Sequence, residues 1–160
     1  MRFVYGKQEM RSLSRSQESC FLLTNGLGGY ASLTAAYSAN RCDQGVLIAA
    51  QKAPGERVTL VEIVTKSVLE AAAQPEDGFR NLSFFAFENI PHWRYHIGGV
   101  RVTRTMAMTY GQNTTAVIYK VENQSNAVCS LTVDPFVKFG PKETAIKAAL
   151  AGFWNFTQKS

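Results

Sequence analysis

The sequence is short of the features that mark several protein classes. Cys20, Cys42 and Cys129 are its only cysteines, an odd number at long spacings without a CxxC pair. That excludes a disulfide scaffold and a thiol-based zinc or redox motif. Charged residues are only 18% against 46% hydrophobic, which excludes a disordered chain. Twelve glycines and five prolines are ordinary counts, so a collagen-like or low-complexity chain is excluded too. Apolar runs stay well below the ~20 residues that span a bilayer, so no membrane partner is expected. Positive charge is in mild excess, 17 Lys plus Arg against 12 Asp plus Glu. The densest basic run, Arg94, Arg101 and Arg104, is interleaved with apolar residues, and no nucleic-acid partner is expected. The first 19 residues are polar and lack the apolar core of a signal peptide. With reduced thiols, this predicts a cytoplasmic location.

What is present is a chain of short apolar runs between turn residues, in 160 residues that suit one domain. Residues 1–19 read as a polar lead-in without a period. Residues 20–140 read as a β-domain. Residues 141–160 read as a tail in which Glu143 to Leu150 could form one short helix. Phe21 to Thr24 precede Asn25-Gly26, a strong turn dipeptide. Val46 to Ala50 and Val58 to Leu69 are further β-rich runs, the latter ended by the loop at residues 74–78. Val100, Val102, Met106 and Met108 alternate with polar neighbours, and Arg104 alone breaks the apolar face. Thr115 to Glu122 alternates as well, and the intervening Gly111-Gln112-Asn113 predicts a hairpin. Ala127 to Phe139 makes a third run. The fold class is therefore mostly β, an antiparallel β-sandwich.

Few motifs point to chemistry. Gly26-Leu27-Gly28-Gly29-Tyr30-Ala31 fits the G-x-G-x-x-A pattern of dinucleotide folds. No helix follows it and no β-α alternation surrounds it, so a glycine turn is the expected reading and no cofactor is expected. His92 and His96 are four apart, but Pro91 and Gly98-Gly99 argue against the helix that a zinc pair would need. No metal site is expected. Asp43, Glu76, Asp77, Glu88 and Asp134 carry carboxylates, yet glycoside hydrolysis needs two of them across one cleft. No catalytic residues are assigned. Trp93 and Tyr95, beside His92 and Arg94, are candidate rings for stacking on a sugar.

The segment Phe21-Leu22-Leu23-Thr24-Asn25-Gly26-Leu27-Gly28-Gly29-Tyr30-Ala31-Ser32 resembles the N-terminal domain of bacterial and archaeal glycogen debranching enzymes of the amylo-α-1,6-glucosidase type. Gly45 to Ala50, Met108 to Val117 and Leu131 to Phe139 are similar to later strands of that family. The resemblance covers roughly residues 18 to 143. It implies part of a β-supersandwich that precedes a six-fold α/α barrel, the barrel holding the glucosidase chemistry. It therefore implies an α-glucan-associated domain, with maltooligosaccharide as the ligand class and without its own barrel. Candidate carbohydrate contacts are Asn25, Tyr30, Arg41, Asp43, Trp93 and Tyr95, around a structural turn at Gly26, Gly28 and Gly29. At Arg41 to Gly45 only Arg41 and Gly45 match the form common in the family. A truncated sandwich leaves edges open, which predicts a homo-oligomer. A catalytic barrel on a separate chain is a further expected partner. Two alternatives stand beside this reading. One is a hydrolase assembled at a subunit interface through Asp43 or Glu88; the other is a structural or oligomerisation module that binds no ligand.

Overall fold

The computed structural model describes residues 3–9, 12–52, 56–68 and 80–141. In chain order these form β1 (Phe3–Tyr5), α1 (Leu13–Glu18), β2 (Cys20–Thr24), β3 (Tyr30–Thr34), β4 (Gly45–Lys52), β5 (Glu56–Val68), β6 (Leu82–Phe87), β7 (Pro91–Ile97), β8 (Val100–Met108), β9 (Thr115–Asn123) and β10 (Leu131–Pro141). One five-stranded sheet runs β1-β6-β7-β8-β9. The other runs β10-β5-β4-β3-β2. Every ladder is antiparallel.

Period-2 alternation builds the sandwich. In β2, Phe21 and Leu23 turn inward while Cys20, Leu22 and Thr24 turn out. In β3, Ala31 and Leu33 join the same core. From the facing sheet come Phe85, Trp93, Tyr95, Val100, Val102 and Met106. Burying each large side chain of this kind contributes roughly 1.5–3 kcal/mol. Phe21 meets the Trp93 ring edge-on at 5.4 Å and stacks on Phe87 at 5.8 Å, which ties β2 across to β6 and β7.

The hairpin read from alternation is β8–β9, with nine consecutive pairs from Val100↔Asn123 to Met108↔Thr115. The third run begins later than its composition suggests, at Leu131 rather than Ala127. The lead-in is more than a polar preface. β1 pairs with β6 and forms one edge of the first sheet. Ser12 caps α1, its hydroxyl accepting from the Arg15 N–H at 3.4 Å. Three strand residues and six helical ones are too few to print a period on the sequence. The loop at 74–78, the helix at 143–150 and the tail beyond Pro141 lie outside the described residues.

Arg104 keeps its place in the alternation and points inward, only 2% exposed. Its guanidinium carbon lies 3.5 Å from the Tyr37 ring centre, 5.1 Å from that of Tyr119 and 5.5 Å from that of Tyr95. It donates to the Tyr95 hydroxyl at 3.4 Å. Tyr37 reaches it from a turn with φ of 57°, a conformation that costs a bulky residue of order 1–2 kcal/mol. Stacking on a desolvated cation offsets that strain, at about 2 kcal/mol or more.

Candidate functional site

The glycine loop between β2 and β3 is organised by one side chain. Asn25 is fully buried. Its Oδ1 accepts from the backbone N–H groups of Leu27 at 2.9 Å and Gly29 at 3.0 Å. Its Nδ2 donates to the Gln112 carbonyl at 3.0 Å and to Asn113 Oδ1 at 2.8 Å. Both donors and both lone pairs of the carboxamide are thereby used. Its own carbonyl accepts from the Gly111 N–H at 2.7 Å. The β2–β3 loop of one sheet is thus locked to the β8–β9 turn of the other. Gly26 has φ of 77°, and a Cβ there would come within 2.5 Å of the Tyr110 ring. A Cβ on Gly29 would fall 2.6 Å from Asn113 Oδ1 and 2.7 Å from Asn25 Nδ2. Glycine is needed at these two positions because the loops interlock without room for a side chain.

On the outer face of the same strands lies an open cleft of about 430 Å³. Leu22 and Thr24 of β2 pair with Ser32 and Tyr30 of β3, and alternation turns all four outward into it. Gly26, Gly28 and Gly29 form one wall, and Asp43 and Arg57 complete the lining. Arg57 Nε donates to the Gly28 carbonyl at 2.7 Å, and its guanidinium lies 5.8 Å from the Tyr30 ring centre. Tyr30 donates its hydroxyl to the Asp43 carbonyl at 2.9 Å. Arg41 Nε sits 3.2 Å from Asp43 Oδ1, and its terminal nitrogen donates to Asp43 Oδ2 at 3.2 Å. That exposed pair orients the carboxylate and contributes ~0–1 kcal/mol to stability.

The structure therefore gathers Tyr30, Asp43 and the three glycines, with Arg41 behind Asp43. Asn25 stands beneath them as a structural post with no group left for a ligand. Trp93 and Tyr95 are corrected. Trp93 is 0% exposed and Tyr95 3% exposed, both on the inner face. Trp93 Nε1 donates to the Ala35 carbonyl at 3.0 Å, and the ring is packed among Phe21, Tyr37 and Phe85. A ring without exposed area cannot stack on a sugar here. Their neighbours His92, Arg94 and His96 face the opposite side of β7. His92 Nδ1 lies 3.0 Å from the Thr105 hydroxyl. No three metal-ligating side chains come together among the described residues. The G-x-G-x-x-A stretch leads into strand β3 rather than a helix. Arg57 is the charged cleft residue that sequence reasoning missed, and Leu22, Thr24 and Ser32 were not assigned to a site either. A lone arginine opening a β-rich run carries no motif, and its only signal was an outward position on β5.

A profile described as glycogen debranching enzyme N terminal matches residues 19–157. The chain belongs to this family. The match covers both elements of the interlock, the Asn25 loop and the turn at residues 110–113. In this member of the debranching-enzyme N-terminal family, the two most recognisable stretches are thus each other's packing partners. No curated protein and no solved structure gives a significant match to the chain. Among the described residues, no helix is long and apolar enough to cross a membrane.

Proposed function

We propose that this domain binds α-glucan in the outer-face cleft and leaves bond cleavage to a separate catalytic domain or chain. The observation that carries the reading is the cleft's lining: the Tyr30 ring, the Arg57 guanidinium, the Asp43 carboxylate and the Thr24 and Ser32 hydroxyls, gathered beside the glycine loop. A flat ring suits the apolar face of a pyranose, and fixed charged and hydroxyl groups suit its hydroxyls. The volume lies within the roughly 300–1,000 Å³ of small-molecule sites. Asp43 is the single carboxylate among the described residues that line the cleft. Glu88, its companion in the hydrolase alternative, lies in the turn between β6 and β7 of the other sheet. Hydrolysis would need two carboxylates about 5–10 Å apart, so the arrangement supports binding over cleavage.

Calorimetric titration with maltoheptaose and a branched glucan, with glucose release assayed in the same samples, tests this reading. Saturable binding without release is expected. Arg57→Ala and Asp43→Asn should each weaken binding about fivefold to thirtyfold, as loss of a charged hydrogen bond of ~1–2 kcal/mol implies. Glucose release that Asp43→Asn abolishes would overturn the division of labour. Absence of binding would leave the structural-module alternative.

A further inference from the structure

The two sheets end in four edge strands, β1, β9, β10 and β2. Three are poor templates for another strand. β1 has three residues and β2 has five. β10 carries Pro135 and Pro141 and two register breaks. β9 is different. It has nine residues, neither proline nor glycine, and unbroken register against β8. Among the described residues nothing pairs with its outer side. Ile118 is 57% exposed on the face away from the core, Val121 is 38% exposed on the core side, and Val128 just beyond the strand is 93% exposed.

The direction of the free backbone groups follows from the hydrogen bonds that flank the strand. The Thr109 N–H donates to the Thr114 carbonyl at 3.0 Å, and the Gln124 N–H to the Gly99 carbonyl at 2.9 Å. Antiparallel ladders alternate bonded and non-bonded pairs. The even-numbered residues of β9 are therefore bonded to β8. Thr115, Val117, Tyr119, Val121 and Asn123 direct their N–H and C=O groups away from the sheet.

We propose that β9 pairs antiparallel with β9 of a second copy of this chain, about a two-fold axis at Val121. Both copies present the same face only when paired residues share parity. Within that set, one register sets Lys120 directly opposite Glu122 of the other copy, twice by symmetry. Shifting it one way sets Lys120 against Lys120, and the other way sets Glu122 against Glu122. Opposite charges across a ladder are favourable and like charges are not. The same register joins the outward backbone groups of residues 119, 121 and 123 in bonded pairs. It places Val121 against Val121, where the core side of β9 is open. Glu122 is already held below the usual carboxylate range by Lys120 first and Arg101 second, so it is anionic when the partner's lysine arrives. The inference rests on the fold and is independent of glucan binding.

Sedimentation velocity on the full chain over a wide concentration range tests it. A concentration-dependent dimer is expected. Lys120→Glu alone and Glu122→Lys alone should each weaken dimerisation at least tenfold, with the β-sheet circular dichroism retained. Mixing the two variants in equal amounts should restore a dimer, because each then faces the other's opposite charges. A monomer at every concentration would overturn the proposal. So would a dimer indifferent to either reversal, or a mixture of folded variants that stays monomeric.

Discussion

Arg104 puts a positive charge between two sheets of apolar side chains and is met there by three tyrosines rather than a carboxylate among the described residues. Desolvating a cation costs several kcal/mol, and ring faces and one hydroxyl offset part of it. Arg104→Ala would remove that offset for the Tyr37 turn and leave a cavity, and should destabilise by about 3–5 kcal/mol. Arg104→Met fills the space without a charge and should cost about 2 kcal/mol less than the alanine. Urea denaturation of both variants checks the order; an equal loss would mean that charge, not volume, is what Arg104 supplies. The same cluster governs alkaline behaviour. Burial pushes the Tyr95 phenol up to about 12, with the Arg104 cation pulling partly the other way. The unfolded chain gives up this proton near the ordinary 10, the folded chain only near 12. Between those values the unfolded state binds fewer protons, so stability falls as pH rises. The contribution is fully present below pH 10 and lost towards 12, a change of roughly 2–3 kcal/mol. Tyr95→Phe should flatten that fall in denaturation measured from pH 9 to 12. The break at Arg104 was visible in the alternation of β8; that tyrosines would cover it was not, because Tyr37 arrives from a turn some 67 positions earlier in the chain.

At the scale of elements, the joint between the β2–β3 loop and the β8–β9 turn is where sequence motif becomes structure. Gly29→Ala would drive a methyl into Asn25 and Asn113 and should destabilise by about 1–3 kcal/mol. Asn25→Ala strands two N–H groups and two acceptors, and should cost at least as much. A double-mutant cycle with Asn113→Ala should give a coupling of about 0.5–3 kcal/mol, since the two amides bond directly. Additive effects would mean that the loops are held by other contacts. Strands β2, β4, β8 and β9 were legible because alternation or an apolar run marked them. β7 held its own correction in view: if 92, 94 and 96 share one face, Trp93 and Tyr95 must share the other, and their size sends them inward. The mutual docking of the Asn25 loop and the β8–β9 turn was not legible, because each stretch read alone is an ordinary turn.

For the whole molecule, composition and alternation sufficed for a mostly β sandwich, and the glycine stretch sufficed for the family. The cleft was only half legible. Tyr30 and Asp43 lie near the recognised segment, while Arg57 comes from a strand that sequence order places well after it. Sites assembled across a sheet escape linear reading, since the ladder order is set by folding and not by the chain. The joint described above also has a consequence in time. Asn25 and Asn113 are 88 residues apart. At a synthesis rate of about 5–20 residues per second, the first waits roughly 4–18 s on the ribosome for the second. For that interval the glycine loop has only its own short-range bonds, and the inner faces of Phe21 and Leu23 await the sheet that will cover them. The last contacts that secure the earliest loop come from a hairpin made near the end of translation of the described domain. A pause in synthesis between β5 and β8 would lengthen that exposure, and aggregation during expression should rise with it.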